Sequence, residues 1–163
     1  MFDVTCLGIM VADVVARPVR ELPDKGRLVL VGRVELHTGG CAVNTGIALA
    51  RLGCKVAVTG KVGQDGFGDF LIETLSGYGV DTRGVVRDPL ANTSATMVMV
   101  DPDGERSFVH YLGANAELTE QEIDLDLIGR SRILHIAGAF LMPRFDGQPT
   151  AHVLKWARVA GDH

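Results

Sequence analysis

The residues best suited to chemistry lie between His37 and Gly53, in the run HTGGCAVNTGIALARLG. Glycine and asparagine do little to stabilise a helix, yet Gly39, Gly40 and Asn44 stand at the head of an apolar, helix-like run. A Gly-Gly turn at that place lets a ligand approach the backbone, because no Cβ stands in the way. The first N–H groups of the helix point outward there and favour oxygen atoms that carry negative charge. Asn44, one turn in, offers both a donor and an acceptor, as a ligand hydroxyl requires. A tight strand-to-helix turn with no ligand would use the same glycines, and spacing alone leaves both readings open.

Other chemistries find less support. The chain has no G-x-x-x-x-G-K-[ST] loop, and Gly63-Gln64-Asp65-Gly66-Phe67-Gly68 departs from G-x-G-x-x-G. The five histidines, at 37, 110, 135, 152 and 163, show no zinc spacing, so metal ligation by the protein is not expected. Cys6, Cys41 and Cys54 form an odd set without metal-ligand spacing, which suits a reducing cytosol. Cys41 falls at a helix N-terminus, where thiols can become reactive, but reads as a small buried filler.

The elements that must position these residues alternate between strand-like and helix-like runs, the pattern of an α/β fold with a largely parallel sheet. Buried strands are expected at 3–9, 55–60 and 132–138, and helices at 41–52, 66–79 and 149–161. Gly53 sits where a C-terminal helix cap belongs, and Thr119 with Glu122 forms a capping-box pattern for a short helix. Pro18 and Pro23 mark a loop after the first strand. Four further strand-like runs, at 28–31, 33–37, 94–101 and 105–111, come in pairs, the second pair joined by the turn Pro102-Asp103-Gly104. They predict a small second sheet, a lid projecting from the α/β body.

Length and charge set the outer limits. With 163 residues, 47% of them hydrophobic, and a net charge of -4, the chain suits one soluble domain and lacks the basic stripe of a nucleic-acid surface. The N-terminal run MFDVTCLGIMVADVV has no basic leader and is interrupted by Asp3 and Asp13, so neither a signal peptide nor a membrane span is expected.

Taken together, LGIMVADVV, TGGCAVNTGIALARLG, TGKVGQDGFGDFL and the hairpin TSATMVMVDPDGER followed by LGANAEL resemble the ribokinase (PfkB) family of carbohydrate kinases. The resemblance implies a ribokinase-like three-layer α/β sandwich with a mainly parallel sheet and a small β lid. Residues 1–163 would be the N-terminal, substrate-binding part of one such domain, with lid strands at about 28–37 and 94–111. It implies transfer of the γ-phosphate of ATP, with Mg²⁺, to a sugar hydroxyl. Asp13, Gly39, Gly40 and Asn44 would bind the sugar, and the lid would close over it and support a homodimer in the cytoplasm. Val11 and Cys41 replace an asparagine and a lysine of ribokinase itself, which argues against ribose.

The family's catalytic base lies in a Gly-Ala-Gly-Asp motif near the C-terminus, with most of the ATP site. Ala160-Gly161-Asp162 resembles a fragment of it, but Val159 replaces the leading glycine, and the run reads as an ordinary helix end. No catalytic or ATP-binding residue is therefore expected within this chain. A non-catalytic sugar-binding or dimerisation module, and a nucleoside kinase of the same family, are the competing expectations.

Overall fold

A computed structural model describes residues 1–160. Two four-stranded sheets organise them. The first, sheet A, is parallel throughout and contains β1 (Phe2–Gly8), β4 (Val56–Gly63), β5 (Asp81–Asp88) and β8 (Ser131–Ala137) in the order β5-β4-β1-β8. Sheet B contains β2 (Val11–Arg17), β3 (Arg33–Gly39), β6 (Ala95–Val100) and β7 (Arg106–Tyr111) in the order β3-β2-β6-β7. The β2–β6 pairing is parallel and the two outer pairings are antiparallel.

Helices cover both faces of sheet A, as a parallel sheet requires, because its strands carry apolar side chains on each side. Val4, Cys6, Val56, Val58 and Val62 pack under α1 (Cys41–Arg51) and α2 (Gly66–Gly77), with Val43, Leu71 and Leu75 closing that layer. Burial there pushes the Cys6 thiol up to about 11. On the other face Leu7 meets Ile128 of α3 (Leu125–Gly129), Val153 of α4 (Gln148–Ala160), and Met142 and Phe145 from the loop between β8 and α4. The result is the expected helix–sheet–helix sandwich. Every residue of β4 is buried, whereas β8, at the sheet's edge, leaves Ile133 57% exposed.

Most local expectations hold. The helix caps and turns form where Gly53, Thr119 and Gly104 predict them. Gly53 takes a φ of 88°, Glu122 accepts from the N–H and hydroxyl of Thr119 at 2.9 Å each, and the Asp101 carboxylate caps the hairpin turn. The Thr119 box opens only a short 3-10 turn, Glu120–Glu122.

Three expectations are corrected. Residues 28–31 form no strand, and β2 takes the place beside β3. Leu28 and Leu30 have strand-like composition but stay exposed, because the apolar run Val11–Arg17 continues from β1 and captures the pairing edge. Strand β5 was not expected: the sequence DTRGVVRD is too charged to read as buried, and it serves as an edge strand. Cys41 is exposed rather than a buried filler. The Gly161-Asp162 part of the C-terminal motif fragment lies outside the described residues.

Candidate functional site

Where the chain leaves sheet A for sheet B, it places a carboxylate without a partner among the described residues. Asp13 is the third residue of β2 and is partly buried. Arg17, Arg33 and His37, on the same two strands, turn to Glu35 instead, at 2.7, 3.3 and 3.8 Å. No hydrogen bond or ion pair among the described residues uses the Asp13 carboxylate. Its oxygens face Gly39, where any Cβ would collide with them. The glycine is therefore what makes room for the carboxylate.

Gly40 follows with a φ of 86°, a conformation that favours glycine, and a Cβ there would strike the Ile9 carbonyl. This turn starts α1 without any side-chain cap at its N-terminus. The N–H of Asn44 bonds the Gly40 carbonyl at 3.0 Å, closing the first turn, and the exposed Asn44 side chain has no partner among the described residues. Asp13, Gly39 and Gly40 thus meet directly, and Asn44 stands one turn along the helix. Two unpartnered polar side chains beside an uncapped helix start can take up hydroxyl groups of a polar ligand.

The residues that fix this corner were not singled out from the sequence. Asn115 is buried and clamps the crossover from β1 to β2, accepting from the Met10 N–H and donating to its carbonyl, both at 3.0 Å. Asp65 caps α2 through Gly68 and also accepts from the N–H and hydroxyl of Thr93 at 2.7 Å, securing the crossover from β5 to β6. Burial opposes its ionisation, but the hydrogen bonds from Thr93, Gly68 and Asn92 outweigh it and hold the carboxyl at about 2.

A third clamp centres on Lys61, whose ammonium meets Asp88 at 2.8 Å, Glu122 at 2.7 Å and the Glu117 carbonyl at 3.0 Å. The Ala91 N–H, Lys61 and the Leu90 N–H hold Asp88 at about 2. Each clamp joins segments far apart in sequence, so no local spacing announces it. The Asp65 cap, three residues before Gly68, was the one legible signal.

The opposite face of sheet B is apolar. A groove of about 560 Å³ lies between that face and the start of α2, lined by Leu36, Ala95 and Tyr111 of the sheet and by Asp65, Phe67, Asn92 and Thr93. Leu36 pairs with Val14, one residue out of phase with Asp13, so the groove and the carboxylate lie on opposite faces.

Comparison with known proteins agrees with this architecture. Residues 1–163 match the pfkB family carbohydrate kinase profile. A probable fructokinase-5 of Arabidopsis thaliana is 37% identical over 129 residues, covering 76% of this chain and 39% of the relative. The Arabidopsis thaliana ribokinase complexed with ribose and ATP superposes with a TM-score of 0.83 at 22% identity, over 98% of this chain and 51% of that one. A putative ribokinase II from E. coli, in complex with ATP and Mg²⁺, superposes with a TM-score of 0.78 at 23% identity, over 99% of this chain and 49% of that one. The chain spans about half the length of these solved structures and less of the curated relative.

Proposed function

Because the chain belongs to the pfkB family of carbohydrate kinases, we propose that it forms the sugar-binding side of an ATP-dependent sugar kinase. The observation that carries this reading is the unpartnered Asp13 carboxylate set against Gly39. In this reading Asp13 accepts hydrogen bonds from sugar hydroxyls, Gly39 and Gly40 admit the ring to the helix start, and Asn44 binds a further hydroxyl. Sheet B acts as the lid that excludes water, which would otherwise compete with the sugar as phosphoryl acceptor. Val11 and Cys41 argue against ribose, and the fructokinase relative favours a hexose.

The described residues contain no group of three or more His, Cys, Asp or Glu that could hold a metal ion. From the family resemblance, and because the chain spans only about half the length of its relatives, we assign ATP, Mg²⁺ and the catalytic base to the part of a full-length kinase that the chain does not cover. The free edge of β8, where Ile133 is exposed, suits the docking of that remainder. The exposed apolar side chains on one face of sheet B, Leu36, Met97 and Val109, suit a second copy of the chain, giving a homodimer through the lid. No helix among the described residues is long and apolar enough to cross a membrane, and cytoplasmic residence is part of the proposal.

The test is Asp13→Ala in the full-length protein. A charge-assisted hydrogen bond contributes roughly 1.5–3 kcal/mol, so the sugar KM should rise about ten- to hundredfold while the ATP KM stays near wild type. Sugar binding without phosphorylation would favour a non-catalytic binding module. Turnover of nucleosides in preference to sugars would move the protein to the nucleoside kinases.

A further inference from the structure

The face of sheet B that carries Asp13 continues well beyond the sugar corner. Across the strands Asp13 shares a row with His37, Thr96 and His110, and the next row holds Val15, Glu35, Val98 and Phe108. A third row lies at the end of the sheet farthest from the Met10 crossover. There Arg17 pairs with Arg33, and Val100 with Arg106. Four residues of strand separate Arg17 from Asp13, a distance of about 13 Å along β2.

A cavity of about 520 Å³ opens at this end of the sheet, lined by Arg17, Pro18, Arg33 and Asp101, with Gly32 before β3 and Gly104 in the hairpin turn. Neither glycine puts a side chain into the space. A Cβ on Gly32 would come within 3.2 Å of the Pro18 ring and 3.3 Å of the Arg17 carbonyl. None of the residues assigned to the sugar corner lines this cavity.

Charges at the tip are unevenly matched. Glu35 is the one carboxylate that Arg17, Arg33 and His37 share among the described residues. In reaching it, Arg17 donates from Nη2 at 2.7 Å and leaves its Nε buried with no acceptor. A buried donor without a partner costs stability, so the guanidinium gains by turning toward an acceptor placed in the cavity. The Arg17 side chain is 43% exposed and has room to turn. Arg106 lies instead over the Phe108 ring, 5.9 Å from its centre. On the other wall, Asp101 accepts from the N–H groups of Asp103 and Glu105 through Oδ1, and no hydrogen bond among the described residues uses Oδ2. Two guanidinium groups facing a free carboxylate oxygen suit a ligand with an oxyanion at one end and a hydroxyl at the other.

We propose that this cavity is a second binding site, separate from the sugar corner, for a small phosphate monoester that carries hydroxyl groups. Arg17 turns from Glu35 and, together with Arg33, donates charge-assisted hydrogen bonds to the phosphoryl oxygens. Asp101 Oδ2 accepts from a hydroxyl of the ester. The same carboxylate repels a bare anion, so the site prefers the ester to inorganic phosphate. A bound ester ties the ends of β2 and β3 to the turn at 101–104 and stiffens the tip of the sheet. The proposal stands apart from the sugar-kinase reading, because it uses none of the residues on which that reading rests.

Calorimetry of the full-length protein, without ATP, tests the site with glucose 6-phosphate as first probe and inorganic phosphate and glucose beside it. Glucose 6-phosphate should bind saturably and more tightly than inorganic phosphate, and added salt should weaken both. Arg17→Gln and Arg33→Gln should each weaken the ester about tenfold or more, while Asp13→Ala should leave its Kd within about twofold of wild type. Asp101→Asn, whose amide oxygen can still cap the hairpin turn, should tighten inorganic phosphate and narrow its gap to the ester.

Absence of saturable binding of glucose 6-phosphate up to about 10 mM overturns the proposal. So does binding that survives both arginine substitutions, and binding that disappears in Asp13→Ala, which would put the ester at the sugar corner. Inorganic phosphate that binds as tightly as the ester overturns the role given to Asp101 and the choice of ligand with it. Arg17 and Arg33 are 43% and 58% exposed, so their substitution should leave the thermal unfolding midpoint within a few degrees of wild type, which separates lost binding from lost folding.

Discussion

Sheets A and B have the same number of strands, similar strand lengths and neighbouring positions in the chain, yet they are stabilised in different ways. In sheet A, all eight residues of β4 are buried between helices. In sheet B, all six residues of β7 are exposed. Sheet A is held by apolar burial on two faces. Sheet B depends on backbone pairing, a few ion pairs around Glu35, and four crossovers to the body that are clamped by Asn115, Asp65 and glycines without room for a Cβ. One sheet is a core, and the other leaves most of its outer strands at the surface.

The largest expected effect follows directly. Phe145→Ala, which removes a fully buried ring from the layer beneath α3 and α4, should destabilise the fold by about 3–5 kcal/mol. Phe108→Ala on β7, where the ring is 58% exposed, should stay within about 0.5 kcal/mol. Chemical denaturation of both variants measures the contrast, and similar losses would erase the distinction between the sheets.

Hydrogen exchange sharpens the same contrast on the native protein. Amides of 33–39 and 95–111 should exchange at least tenfold faster than those of 56–63, since sheet B can open without exposing the core. Equal protection would make sheet B part of the cooperative body. Added sugar should narrow the gap.

Acid probes the attachment between the two sheets. Asp65 and Asp88 ionise at about 2 in the folded chain, below the ordinary 3.8. A carboxyl with a depressed folded pKa adds stability above its unfolded pKa and loses that contribution as pH falls through the folded value. Stability should therefore drop between about pH 4 and pH 2, and Asp65→Asn should flatten part of that limb. A flat profile over this window would show that neither clamp contributes.

The smallest effect concerns the apolar face of sheet B that carries Val14, Leu36, Met97 and Val109. Met97→Lys places a charge beside Val14 and Val109, its cross-strand neighbours, in a groove of about 340 Å³ also lined by Phe67, Thr96, His110 and Tyr111. If the proposed homodimer forms through this face, the substitution should weaken it by about tenfold or more with little change in folding, as sedimentation at several concentrations would show, and a wild-type monomer at all concentrations would end the dimer proposal. Undiminished association would place the contact elsewhere, for example along β8.

What the sequence determined by itself was local. The Gly39-Gly40 turn, the cap at Gly53, the capping box at Thr119, the hairpin turn at Gly104 and the buried runs of β1 and β4 all follow from short-range rules. Those rules concern backbone freedom, orphan N–H groups and continuous apolar composition, and the α/β class follows from their order. The tertiary structure decided the pairings. Residues 28–31 and 11–17 carry similar strand propensity, and only the continuation of the chain from β1, clamped at Met10 by a residue 105 positions away, selected the second as the partner of β3. The same holds for the site: Asn44 could be picked out as a polar residue one turn into a helix, and Asp13 only through the family resemblance. The lack of a partner for Asp13 among the described residues, and the row that joins it to Thr96 and His110, depend on strand register. Register is fixed by which faces are buried across the assembled sheet, a property that no single segment contains.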